Sequence, residues 1–295
     1  MTARKAWRVP LAAALLLLTA CGGAALKLPA QPRGKVVLEV RGDFKGGPRS
    51  LGEEDLAALP RVAVKGTDPV TGRAAEWEGA DLAVIVKNVA EVRPGVDTVV
   101  VRTAAGEAVP INLGKFVQYR PALATRADGA ALEEPRLAWP NAEQPGLLRD
   151  PRHRAWWASK PVAIEIVRWP RVYGRALSLP GGQPAEARRG GGLFVERCVS
   201  CHAMRGAGGT RGPELTAWAE AHDGSALSAK LAKHPGRLPD DLEQDFVTPL
   251  HAYLTSMTKA GPLPPLPAED KDGKPVKPPD EDEGEGGRPG GRRGG

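Results

Sequence analysis

Five consecutive residues, Cys198-Val199-Ser200-Cys201-His202, carry the densest chemistry in the chain. Two thiols at this spacing stand on one helical turn, where they can be tethered to the vinyl groups of a haem. The imidazole directly after them then meets the iron from one face. The same C-x-x-C spacing also serves as half of a zinc site or as a thiol redox pair. A structural zinc site needs four ligands, and outside the motif the chain offers Cys21, His153, His222, His234 and His251, none in paired spacing. A redox pair opens a helix after a buried strand, whereas Gly190-Gly191-Gly192-Leu193-Phe194-Val195-Glu196-Arg197 precedes this one. Haem attachment is the favoured reading, with Cys198 and Cys201 as tethers and His202 as proximal ligand.

The flanking elements suit that role. Gly191, Phe194 and Cys198 fit a short helical approach, and residues 206–215 form a glycine-rich loop ending in Gly212-Pro213-Glu214-Leu215. Residues 245–254 predict an amphipathic helix with Phe246, Leu250, Tyr253 and Leu254 on one face. Residues 190–260 resemble a small class I type cytochrome c domain, in which the first and last helices cross beside the haem. The resemblance implies an all-α fold, one covalent haem c, and a Gly-Pro-x-Leu segment matched by Gly212, Pro213 and Leu215. It also implies a methionine as sixth ligand, commonly followed by proline; this chain has Leu238 before Pro239, and leucine cannot ligate iron. His234 and Met257 are the candidate distal ligands. His222 and His251 are expected at the surface, Met204 stands too near His202 to cross the ring, and a five-coordinate iron is the remaining option. A thioether, a second imidazole or an open position would each support a different potential and function.

The ends place this chemistry. A basic start, an apolar run over 11–18 and Leu18-Thr19-Ala20-Cys21 resemble a bacterial lipoprotein signal over 1–20, with Cys21 as the lipidated residue. Gly22 and Gly23 after it lean, by resemblance to enteric lipoproteins, towards the outer membrane rather than the inner, facing the periplasm. The three cysteines are then all assigned, leaving none for a disulfide. Residues 21–34 and the Gly-, Pro- and Arg-rich stretch 171–189 are expected to be linkers. Residues 261–295 have too few apolar side chains to offset ordering entropy and are expected to be a disordered tail.

Residues 35–170 predict an α+β domain. Strand signals occur at 35–40, 61–65, 98–102 and 162–167, hairpin turns at Thr71-Gly72 and Ala105-Gly106, and helices after Ser50-Leu51-Gly52-Glu53, read as a capping box, and over 81–89. The order resembles the molybdopterin-binding domain of the sulfite oxidase-like family. The matching residues are Leu56-Ala57-Ala58-Leu59-Pro60, Trp77-x-Gly79-x-x-Leu82, the run 98–106 entering Ala108-Val109-Pro110-Ile111, and Trp156-Trp157 before the last strand. The family's molybdenum-binding cysteine follows the strand matched here by 61–65. This chain has Gly66-Thr67-Asp68-Pro69 instead, so a non-catalytic scaffold without molybdopterin is expected.

The charge balance, 41 Lys and Arg against 35 Asp and Glu, contains no basic block of the kind nucleic-acid binding needs. Asp81, Asp128 and Glu165 read as surface or turn residues, and no catalytic set stands out. The sequence therefore predicts a lipid-anchored monohaem electron carrier of the cell envelope, serving redox partner proteins. An oxidoreductase subunit passing substrate electrons to haem, or a haem-based ligand sensor, are the alternatives.

Overall fold

The structure is a computed structural model that describes residues 29–88, 92–234, 243–263 and 265–266. Cys21, the apolar run over 11–18, Leu238 and the tail from 267 onward lie outside the described residues.

Strands alternate with short helices through the first half: β1 (Val36–Gly42), β2 (Arg49–Gly52), α1 (Glu53–Ala57), β3 (Arg61–Thr67), β4 (Ala74–Asp81), α2 (Leu82–Asn88), β5 (Thr98–Thr103), β6 (Ala108–Asn112), α3 (Leu113–Tyr119), β7 (Ala122–Ala127), β8 (Ala130–Ala138), α4 (His153–Trp156) and β9 (Pro161–Val167). One sheet has the order β2-β1-β9-β5-β6, with β1 and β9 parallel; the other, β3-β4-β7-β8, is antiparallel. This is an α+β domain. Its four strongest strand signals become β1, β3, β5 and β9.

The second half is mainly helical. A π-helical turn at Pro170–Gly174 leads into α5 (Arg175–Leu177) and α6 (Ala185–Arg197). A two-rung hairpin of β10 (Ala203–Met204) and β11 (Ala207–Gly208) interrupts the helices where an all-α unit is expected. A short 3-10 turn at Trp218–Glu220, α7 (Gly224–Ala232) and α8 (Glu243–Thr258) follow. On α8, Phe246, Leu250, Tyr253 and Leu254 are buried as their helical spacing predicts, and Met257 extends the same face. Glycine in a helix costs about 1 kcal/mol relative to alanine. At Gly190 the crossing of α6 and α8 requires it, because a Cβ there would lie 1.9 Å from the Pro249 carbonyl oxygen.

The two halves share β5. Val99 and Val101 belong to the core of the α+β domain, whereas Val100 and Ala108 of β6 belong to a second core with Tyr173, Phe194, Val199 and Tyr253. Alternate side chains of a strand point to opposite faces, so the uninterrupted Val99-Val100-Val101 run is the mark of a strand covered on both.

Four local readings change. Helix α1 starts at Glu53, with Gly52 as its N-cap and Ser50 still in β2. The carboxylate that reaches back is Asp55, which accepts from the Gly52 N–H at 2.9 Å, so the capping box does not begin at Ser50. Asp81 is buried: it accepts from the Ala83 N–H at the start of α2 and from Arg120, whose guanidinium offsets its charge. Composition suggests a linker over 171–189, yet Tyr173, Ala176 and Leu177 are buried in the second core. Trp169 stacks on Tyr173 with ring centroids 4.7 Å apart, and the Tyr253 hydroxyl donates to the Leu177 carbonyl at 3.0 Å. Glu165, expected at the surface or in a turn, is instead half-buried within β9, where Arg41 and Arg102 offset its charge, while Asp128 occupies a turn as expected.

Candidate functional site

Cys198 caps the C-terminus of α6, where its N–H donates to the Phe194 carbonyl. One further turn follows: the N–H groups of Cys201 and His202 both donate to the Cys198 carbonyl, at 3.0 and 2.8 Å. Both thiols are free and partly exposed at the residue level. Burial pushes the Cys198 thiol up to about 12, with the neighbouring Cys201 adding to it; burial, then Glu107, raises Cys201 as well. A redox C-x-x-C pair has the opposite electrostatics, a thiolate stabilised at the positive end of a helix. Here the pair follows the negative end and stays protonated at neutral pH.

His202 is held from two sides. Its Nδ1 lies 2.8 Å from the Pro213 carbonyl, an oxygen that can only accept, so Nδ1 donates there and the ring turns its Nε2 away from that carbonyl. A Cβ at position 212 would be 2.3 Å from the His202 Cε1, so glycine there lets the loop lie against the ring. Across from this face stands His234. The two Nε2 atoms are 3.4 Å apart and the ring centroids 5.7 Å. Burial, then the charges of His202 and Arg211, lower the proton affinity of His234, which favours the neutral, ligating form.

Two facing imidazole nitrogens can grip one metal ion: two metal–nitrogen bonds of about 2 Å span about 4 Å, so a small separation of the rings admits it. With the adjacent thiols, the donor set fits an iron porphyrin tethered at Cys198 and Cys201. Among the described residues no cluster of three or more His, Cys, Asp or Glu comes together in a way that could hold a metal ion by itself, as a structural zinc site would require.

The other candidates lie elsewhere. Met257 and Met204 are fully buried in the second core. His222 and His251 are half-buried rather than surface residues. His222 stacks on Trp218 with ring centroids 4.4 Å apart, and the His251 Nε2 approaches the His222 carbonyl at 3.3 Å, which ties α8 to the loop before α7. His153 is buried between Trp156 and Trp157, and burial lowers its proton affinity. Cys21 lies outside the described residues.

The position matched to the molybdenum-binding cysteine is occupied by the chain's own polar network. The buried Asp68 carboxylate accepts from the Val70 N–H and the Thr71 hydroxyl, both at 2.8 Å, and pairs with Arg136. Asn141 clamps the Thr67 backbone, accepting from its N–H at 2.7 Å and donating to its carbonyl at 2.8 Å.

Two features escaped sequence reasoning. Glu107, in the β5–β6 turn, pairs with Arg211 in the loop after the thiols at 2.5 Å, and nothing in the local pattern of either residue signals it. An open cleft of about 920 Å³ lies between the halves, lined by Lys115, Arg152, Trp169, Arg188 and Tyr253 and apart from the thiols. Among the described residues no helix is long and apolar enough to cross a membrane.

No protein-family model and no curated protein matches the chain. Among solved structures, the sulfane dehydrogenase SoxCD from Paracoccus pantotrophus is similar at 18% identity and a TM-score of 0.35. The match covers 54% of this chain and 45% of that one, so this chain spans less than half of the SoxCD chain's length.

Proposed function

We propose that the chain is a monohaem c-type cytochrome that transfers electrons in the bacterial envelope, lipid-anchored at Cys21 and facing the periplasm. Cys198 and Cys201 are the covalent tethers, His202 is the proximal ligand and His234 the distal one. The reading rests above all on one observation, the 3.4 Å approach of the His202 and His234 Nε2 atoms beside two free thiols.

Bound haem supplies a one-electron couple, and two nitrogen ligands retained in both oxidation states limit reorganisation. The protein holds the ligands still. The Pro213 carbonyl orients His202, Gly212 backs its ring, and the α6–α8 crossing supports the turn that carries the thiols. The α+β domain is read as a relative of the sulfite oxidase-like fold that serves as scaffold and partner-docking surface. The internally satisfied network at Asp68 and Asn141 favours that role over molybdopterin chemistry.

Maturation of the full chain in an export-competent bacterium tests the assignment. Haem that resists acid-acetone extraction from the wild type, and is absent from Cys198→Ser/Cys201→Ser, is the expected result. Wild-type protein without bound porphyrin would overturn it.

A further inference from the structure

The loop that carries the thiols is bonded to the α+β domain through the β5–β6 hairpin. Ala108 N–H donates to the Ser200 carbonyl at 2.8 Å, and Thr210 N–H donates to the Gly106 carbonyl at 2.7 Å. From the residue between Gly106 and Ala108, the Glu107 carboxylate accepts from the Arg211 guanidinium at 2.5 Å. Val100 and Ala108 are fully buried in the second core, so the hairpin cannot withdraw without exposing apolar surface.

Arg211 is placed beside the donors of the site. Its guanidinium interacts with the Cys201 thiol, its charge acts on His234, and its neighbour Gly212 lies against the His202 ring. The Glu107 charge acts on Cys201 as well. One domain thus contributes an anion, and the other a cation, within electrostatic reach of the same small region.

We propose that the Glu107–Arg211 pair is the means by which the α+β domain sets the charge around iron held between His202 and His234, and with it the reduction potential. This deepens the haem reading and rests on it. Ferric iron carries one more positive charge than ferrous iron, so a nearby cation favours the reduced state and a nearby anion the oxidised state. Paired, the two charges largely cancel. Their exposures differ, at 54% for the Arg211 side chain and 19% for Glu107, so water screens the cation more strongly than the anion.

Redox titration of the full-length, haem-loaded protein tests this. Arg211→Gln, which leaves the less exposed carboxylate uncompensated, lowers the potential. Glu107→Gln raises it by a smaller amount that shrinks with added salt. The double variant Glu107→Gln/Arg211→Gln returns close to the wild type, and Arg211→Lys retains the wild-type value. Single variants that keep their haem but shift in the same direction, or not at all, overturn the proposal. Where a single variant loses its haem, the exchanged pair Glu107→Arg/Arg211→Glu replaces it. The cation then occupies the less exposed position and the potential rises above the wild type; an unmoved potential overturns the proposal. A wild-type protein without haem defeats the underlying reading, whereas a loaded protein with unresponsive potentials defeats this inference alone.

Discussion

The turn at Asp68 and the loop at Cys198–His202 both concentrate polar side chains at the edge of a core, yet they end in opposite states. At the first, Asp68 takes up the Val70 N–H, the Thr71 hydroxyl and Arg136, and Asn141 takes up both backbone groups of Thr67. Such a network has its donors and acceptors satisfied inside the protein and acts as a rigid brace. At the second, only one nitrogen of His202 is committed to a carbonyl, and the other faces a second imidazole beside two free thiols. A site is recognised by metal-ligating groups that converge on one another. Polar density alone is not enough.

His234→Ala would break that contrast most completely. On the haem reading it removes the second nitrogen ligand, so the low-spin spectrum of the loaded protein is lost and the reduced form gains carbon monoxide binding. A low-spin spectrum that persists would transfer the distal role to another side chain such as Met257. Asp68→Ala tests the brace. It leaves the largely buried Arg136 without its counter-charge, with the Ser159 hydroxyl still accepting from it at 2.7 Å, and denaturant unfolding is expected to show a loss of about 3 kcal/mol with an unchanged haem spectrum. Stability near wild type would mean that the Asp68 network is not a structural brace.

Smaller effects sharpen the picture. Tyr253→Phe deletes the hydroxyl that donates to the Leu177 carbonyl and is expected to cost about 1 kcal/mol, read by thermal unfolding. The mildest prediction concerns acid. Burial opposes ionisation of Asp150, but hydrogen bonds from Arg152 and Lys115 more than offset this and hold its carboxyl well below the usual range. A depressed folded-state value means that the stability contributed is complete above the ordinary carboxylate value near 4 and is lost as pH falls below it. Asp150→Asn should therefore flatten the acid side of the stability profile below about pH 4 and leave its slope above pH 6 unchanged. An unaltered acid slope would show that the carboxylate contributes nothing through its partners.

What was legible in the sequence depended on how local the cause is. The valines of β5, the buried face of α8 and the turn joining Cys198 to His202 follow from spacing along a single element. Asp81 and the segment around Tyr173 depart from what their composition predicts because polarity and glycine-proline content describe average behaviour, whereas each residue has a particular partner. Arg120 lets Asp81 be buried, and Trp169 and the second core hold Tyr173. The false capping box has the same origin: the four-residue spacing was present, but β2 continues through it and moves the helix start to Glu53.

By itself the sequence determined the covalent chemistry on offer. Two thiols and an imidazole within five residues are brought together by one helical turn whatever surrounds them, because backbone hydrogen bonding over three and four residues is geometry intrinsic to the chain. Only the tertiary structure decided which imidazole faces His202 and which charge stands beside the thiols. His234 and Glu107 lie 32 and 104 positions from their partners His202 and Arg211. Contacts that distant are selected by how the cores pack, and spacing along the chain carries no record of them.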